Sequence, residues 1–272
     1  MSRLAKALSV ALMLVATVGL TLNLTSFAAE DLLGEILERG VIRIGTTAAA
    51  RPYAYLDDNG EIIGWEVDLM NLIAEGLGVT LEIVDMPWAG LIPALQTARI
   101  DVICPRMLTT LERAKSVWFC EALHLAATVA YARIESGFSS WEELNSSDYT
   151  VAAIAGAVGE ELATKMLPNA TLKLYQLDTD ATQALLTGRV DACVNGSLIS
   201  AGEVDAYPDE LVVLPGSLRA ETCTFAVRQG VESLSLKFWL DGFVRKIKLT
   251  GQYEEICKKW MGESYIPWNQ FD

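Results

Sequence analysis

The chain has 272 residues, 51% of them hydrophobic and 21% charged, and a formal net charge of −14. The apolar share builds a folded core and excludes a disordered segment or a coiled coil, while the acidic balance argues against nucleic acid or an anionic membrane face as partner. A single histidine, His124, and five cysteines without C-x-x-C spacing exclude polyhistidine metal sites and any Ser-His-Asp triad not built on His124.

Arg3 and Lys6 precede an apolar run from Ala7 to Leu20, and Ser26-Phe27-Ala28-Ala29 offers the small residues at which a signal peptidase cuts. The expectation is an export signal over residues 1–28, cleaved near Ala28, that delivers the protein to the periplasm. The apolar run is short of the about 20 residues a spanning helix needs, although Leu22 to Leu24 could extend it into an uncleaved anchor. Cleavage removes two cations and no acid, taking the net charge from −14 to −16. No cysteine precedes Cys104, which speaks against lipid modification of an N-terminal cysteine. Five cysteines in an exported chain leave at least one unpaired within a monomer. Cys104–Cys120 and Cys193–Cys223 disulfides, or buried free thiols throughout, both remain open.

Asp31 to Arg39 has helical spacing and ends at Gly40, and Val41 to Gly45 alternates as a strand. Tyr53–Leu56 and Ile62–Trp65 flank Asp57-Asp58-Asn59-Gly60, a hairpin signature. A helix over Val67–Leu77, a strand over Val79–Val84, a helix over Gly90–Thr97, a strand over Ile100–Cys104 and a helix starting at Thr110–Lys115 follow. The pattern restarts with a short helix at Trp141–Leu144. Strands over Thr150–Ala155, Leu172–Gln176 and Val190–Val194 then alternate with helices over Gly159–Met166 and Thr179–Thr187. Leu234 to Trp260 is helical, divided at Gly251. This alternation predicts an α/β protein with mostly parallel sheets, in two halves without a flexible linker.

The run from Trp88 to Ile103, followed by Met107, Thr110, Glu112, Arg113 and Ala114, resembles the extracytoplasmic solute-binding proteins of polar amino-acid ABC transporters. Val41–Gly45 with Pro52-Tyr53, Gly64–Leu69 and Gly188–Ala192 extend the resemblance from about Leu32 to about Met261. It implies a two-lobed periplasmic binding protein fold of type II, with the ligand cleft between lobes joined by two crossover strands near Ala126–Tyr131 and Thr222–Ala226. The expected organisation is residues 29–127 plus 225–272 in a discontinuous first lobe and 128–224 in the second. The implied partners are a small carboxylate-bearing solute and a transporter permease, with the protein a monomer, free of metal and cofactor and not an enzyme.

Within that resemblance Arg113 holds the ligand's carboxylate, a task for which a guanidinium supplies two parallel hydrogen bonds. A surface pairing with Glu112 is the alternative. Trp88 and Tyr53 offer aromatic walls, unless they are ordinary core aromatics. Ala155-Gly156-Ala157-Val158-Gly159 opens a helix whose free N–H groups attract an anion, or is simply a turn. Several positions depart from the family pattern. Leu108 stands where a hydroxyl is usual and Arg106 where a small residue is usual. Ala157 and Val158 replace threonines, and Gly196 follows Asn195 where an acid would receive an ammonium group. Thr47 and Ala50, with Arg51 adjacent, stand where binders of basic amino acids have an acid and an aromatic. The expected cleft has therefore lost acids and gained cations, favouring an anionic or N-modified solute. A one-residue slip would bring in Thr109 or Ser197 instead, and Asp178, Asp180 or Glu221 could supply an acid from elsewhere. A receptor-feeding sensor is an alternative function. A dehydratase resembling the cyclohexadienyl enzymes is another, but its general-acid position holds Ile199.

Overall fold

The computed structural model describes residues 31–262, so the expected export signal lies outside the described residues. Helix α1 (Leu32–Arg39) stops where Gly40 turns left-handed and donates its N–H back to the Ile36 carbonyl. Strand β1 (Val41–Thr46) follows, then β2 (Ala49–Ala50), β3 (Ala54–Leu56) and β4 (Ile62–Ile63), a small antiparallel sheet of three strands. The predicted tight turn is a five-residue loop instead, because the Asp57 carboxylate accepts the N–H groups of both Asn59 and Glu61. Helix α2 (Trp65–Leu77) begins two residues before the expected start and takes Trp65 out of the hairpin. Gly64 permits this: its φ is 139°, and a Cβ there would lie 2.2 Å from the Tyr53 carbonyl oxygen.

Strand β5 (Thr80–Asp85), a 3-10 turn at Trp88–Gly90, α3 (Leu91–Gln96) and β6 (Val102–Leu108) complete the first run of βα units. The predicted helix at Thr110–Lys115 is a turn leading into a single 3-10 turn, Arg113–Lys115. Then come β7 (Val117–Phe119) and the ten-residue β8 (His124–Arg133). Strand β9 (Thr150–Ile154), α4 (Val158–Met166), β10 (Thr171–Tyr175), α5 (Asp178–Leu186), β11 (Ala192–Gly196) and α6 (Ser197–Ala206) form the second run. Strand β12 (Leu211–Val213), the ten-residue β13 (Arg219–Arg228), α7 (Leu234–Leu249) and α8 (Gln252–Met261) close the described chain, with Gly251 breaking the last two helices apart as expected.

One sheet runs through both lobes in the order β10-β9-β11-β8-β13-β6-β1-β5. Its two flanks, β5-β1-β6 and β10-β9-β11, are parallel. The two centre strands, β8 and β13, are antiparallel to each other and to their neighbours. In the first lobe α2 lays Trp65, Leu69, Met70 and Ile73 against Ile42 and Ile44 of β1. The second lobe has a core on each sheet face, one with Leu162 and Ala163 of α4, the other with Ala181 and Leu185 of α5. Gly159 lets α4 approach the sheet, because a Cβ there would meet the Val194 carbonyl oxygen at 2.4 Å. The lobes stand closed: Leu198 and Ile199 of α6 pack into the first lobe's core, and Trp88 touches cores of both lobes.

All five cysteines are buried free thiols, so neither considered disulfide forms. The single histidine is a core residue of the first lobe. His124 Nδ1 lies 2.7 Å from the Tyr253 hydroxyl and Nε2 3.0 Å from Cys223 Sγ, with the Trp65 ring edge-on. Burial pulls its pKa down to about 3, so the folded protein keeps it neutral. The unfolded chain protonates it below about 6.5, so stability is undiminished above that pH and falls toward pH 3 at up to about 1.4 kcal/mol per pH unit. Urea midpoints at pH 7, 5 and 4 should therefore fall more steeply for the wild type than for His124→Gln; parallel slopes would show that the ring protonates in the folded state.

Candidate ligand-binding site

Between the closed lobes lies a cavity of about 60 Å³, partly open to solvent, at the C-terminal ends of the parallel strands. The first lobe lines it with Tyr53, Trp88, Arg106, Leu108 and Arg113, and the crossover strand β8 with Ala126 and Thr128. The second lobe contributes Ile154, Ala157, Val158 and Gly159 on one side and Asp178, Asn195, Gly196 and Ile199 on the other. Nine of the ten expected contact residues thus converge on it. Thr47 does not: its hydroxyl donates to the Met86 carbonyl and its own carbonyl accepts from Arg106, so it holds Arg106 in place rather than facing the cavity. Arg51 is also elsewhere, over the Tyr55 ring at 4.1 Å. Thr109 bonds to the Thr222 hydroxyl at 2.6 Å and Ser197 accepts the Ala127 N–H, so the one-residue slip gains no contact.

Arg113 leaves β6 by a short loop and reaches across the cleft. Its guanidinium donates to the Leu108 carbonyl at 3.3 Å and to the Gly156 carbonyl of the opposite lobe at 3.1 Å. It lies 5.6 Å from the Trp88 ring centre. Burial pulls its pKa down to about 10, partly offset by Glu221, so it stays cationic at neutral pH. No carboxylate lies within ion-pair distance of it among the described residues. A half-buried cation with only carbonyl partners favours an anion. Beside it, Val158 and Gly159 open α4, whose first-turn N–H groups have no acceptor within the helix. The surface pairing of Arg113 with Glu112 is not made; Glu112 pairs with Lys115 instead.

Arg106 is set differently from the expectation. Strand β6 continues through residues 105–108, expected as a loop, and pairs with β13 across a bulge in which β6 advances four residues (Ile103 to Met107) while β13 advances two. Pro105, which has no N–H for a ladder, sits in this bulge. The bulge turns Arg106 inward, where its Nε lies 2.9 Å from Glu66 Oε1 and its Nη2 3.2 Å from the Thr47 carbonyl. The Nε contact is close but off the N–H axis, so the pair is held by charge more than by an aligned hydrogen bond. The other oxygen of Glu66 accepts from Thr46 at 2.5 Å. The Arg106 guanidinium also covers the Trp88 ring at 4.7 Å and the Tyr53 ring at 5.7 Å. Both aromatics are therefore already faced by a cation of the protein.

Asp178, the first residue of α5, is buried, and its Oδ1 accepts a 2.6 Å hydrogen bond from Asn195. Burial pushes its carboxyl up; Arg106 and the Asn195 bond act against that. No cation lies within ion-pair distance of it among the described residues. Burial likewise pushes Glu66 up, against the pull of Arg106. The expected charge inventory is corrected: the cleft does hold an acid, and one of its two cations is already neutralised. Glu66 went unmarked in the sequence although a signal was present. It is an acid on the face of α2 that otherwise carries Met70 and Ile73, four and seven residues on, and a charge on an apolar helix face needs a buried partner.

Two α/β lobes closed over a charged cavity define a protein that captures a small solute by clamping. The chain belongs to the bacterial extracellular solute-binding proteins, family 3, whose profile it matches over residues 42–263. The L-cystine-binding protein TcyJ of Escherichia coli K12 is 27% identical over 243 residues, covering 89% of this chain and 90% of TcyJ. A crystal structure of the P235GK mutant of ArgBP from T. maritima superposes with a TM-score of 0.80 at 36% identity, covering 85% of this chain and all of ArgBP. The ancestral amino acid-binding protein AncCDT-1, a precursor of cyclohexadienyl dehydratase, superposes with a TM-score of 0.79 at 33% identity over 84% of this chain and 98% of that one.

Removing either member of the buried Arg106–Glu66 pair leaves the other charged and desolvated, which costs about 3–5 kcal/mol. Glu66→Gln and Arg106→Met alone should each lower the unfolding free energy by that order in urea titration. The double variant should lose clearly less than the two losses added; simple additivity would mean that the pair does not interact.

Proposed function

We propose that this protein is the extracytoplasmic solute-binding component of an ABC importer, and that it captures a small amino-acid-like solute by the solute's carboxylate. The observation that carries the reading is Arg113: a half-buried cation lining the cavity, with carbonyl partners only, beside the N–H groups of a helix start. A carboxylate placed between them receives two parallel hydrogen bonds from the first lobe and backbone hydrogen bonds from the second. Such a ligand touches both lobes at once, so it stabilises the closed arrangement over any open one. The crossover strands β8 and β13 serve as the hinge, near Ala126–Tyr131 and Thr222–Ala226, with the described residues of the first lobe, 31–127 and 225–262, moving as one body and 128–224 as the other.

Binding rather than hydrolysis is favoured by where the reactive side chains lie. His124 is sealed in the first lobe's core, and burial pushes all five thiols up, away from the thiolate form a nucleophile needs. The position at which a dehydratase would carry its acid is the apolar Ile199.

Native mass spectrometry of protein freshly purified from its host identifies the co-purifying solute, expected to carry a carboxylate and to bind one per monomer. With that solute, Arg113→Ala should weaken binding by more than 100-fold in titration calorimetry. Arg113→Lys should be nearly as poor, because one ammonium cannot make the planar two-point contact. Wild-type affinity in Arg113→Ala, or a ligand without a carboxylate, would overturn the reading. Saturating ligand should also reduce the radius of gyration in solution scattering, whereas an unchanged radius would remove the hinge.

A further inference from the structure

Resting on that reading, we propose that the cleft selects zwitterionic α-amino acids with uncharged side chains and rejects cationic ones, because Arg106 occupies from within the place a ligand cation would take. Three features of the cavity wall converge on Arg106. Its guanidinium faces both aromatic rings that could receive a cation, Trp88 at 4.7 Å and Tyr53 at 5.7 Å. It also takes the charge of Glu66, the buried acid behind those rings. Thr47 anchors Arg106 by accepting from its Nη2 at 3.2 Å through its carbonyl.

The remaining charges select the ligand's polar groups. Arg106 and Glu66 cancel, which leaves Arg113 on one wall and Asp178 on the other, each without an ion-pair partner among the described residues. The Arg113 guanidinium and the Asp178 carboxyl on opposite lobes match the carboxylate and ammonium of a zwitterion, and the bound ammonium favours the charged form of Asp178 against the effect of its burial. A ligand with a cationic side chain would bring an extra positive charge against Arg106 with no acid left to receive it. An acidic side chain would add a negative charge facing Arg106, whose charge Glu66 already offsets, while Arg113 is taken by the ligand's own carboxylate. Burying an unmatched charge is costly, so both are excluded by repulsion and desolvation rather than by shape. The rest of the lining, Leu108, Ala126, Ile154, Val158 and Ile199, is apolar and suits an aliphatic or aromatic side chain. Asp178 also makes a free ammonium preferable to an acylated nitrogen, reversing the ligand class expected from the residues around Gly196 alone.

The test is calorimetry on protein stripped of ligand by unfolding and refolding. The probes are L-alanine, L-valine, L-leucine, L-phenylalanine, L-arginine, L-lysine, L-glutamate, N-acetyl-L-leucine and a set of keto and dicarboxylic acids. At least one neutral amino acid should bind at least 100-fold tighter than L-arginine, L-lysine and L-glutamate, and at least 100-fold tighter than N-acetyl-L-leucine. Asp178→Asn should weaken the preferred amino acid at least 30-fold. Arg106→Met should raise L-arginine binding at least tenfold, since it uncovers Trp88, Tyr53 and Glu66. If Arg106→Met does not fold, the wild-type panel and Asp178→Asn decide alone. L-arginine or L-lysine as the best wild-type ligand would overturn the selection while leaving the carboxylate-capturing function standing. The same holds if keto acids or N-acetyl-L-leucine bind best. No binding of any carboxylate-bearing probe would overturn both.

Discussion

The antiparallel ladder between β8 and β13 is the constraint on which the rest of the molecule depends. It pairs His124 through Thr128 with Cys223 through Arg219, and it alone carries the sheet from one lobe to the other. Beyond the ladder β13 continues into the first lobe beside β6, and β8 continues into the second beside β11. Each lobe's parallel strands therefore end facing the same seam. Thr46 and Thr47 at the end of β1, Arg106 and Leu108 at the end of β6, Ile154 at the end of β9 and Asn195 and Gly196 at the end of β11 gather there. This is the usual place for ligands in open α/β sheets, outside the carboxyl ends of the strands. The cavity is a consequence of the topology before any particular side chain is considered.

What distinguishes this cavity is the arrangement of charge around it. A buried ion pair such as Arg106–Glu66 adds little net stability, because desolvating two charges costs about what their attraction returns. Its effect is positional. It pins a guanidinium over two aromatic rings beside its counter-ion, while Arg113 and Asp178 line the cavity without an ion-pair partner among the described residues. Both pairs straddle elements far apart in the chain, Glu66 on α2 with Arg106 on β6, and Arg113 after β6 with Asp178 on α5.

The relatives at 25–36% identity share the scaffold and differ in the name of what they bind, among them L-cystine for TcyJ and arginine for ArtP of Bacillus subtilis. That is the expected behaviour of a fold whose ligand contacts come from strand ends and loops, since these change without disturbing the buried sheet. In this chain a single strand residue, Arg106, touches or faces Trp88, Tyr53, Glu66 and Thr47 together.

The order of elements, the two lobes and the identity of Arg113, Trp88, Leu108 and Val158 as cleft residues were legible from the sequence. Periodicity, glycine stops and local motif spacing are short-range properties that survive without coordinates. Helix starts at Trp65 and the extension of β6 through Leu108 were not, because each rests on a partner distant in sequence: the Tyr53 carbonyl that only Gly64 can approach, and the β13 ladder with its bulge at Pro105. The free state of the five thiols was likewise undecided by spacing and decided by where the fold places each of them. The charge balance of the cleft belongs wholly to the tertiary structure. A sequence shows that Glu66, Arg106, Arg113 and Asp178 exist, but which charges cancel depends on separations of a few ångströms between elements distant in the chain, and electrostatic energy away from water is set by those separations.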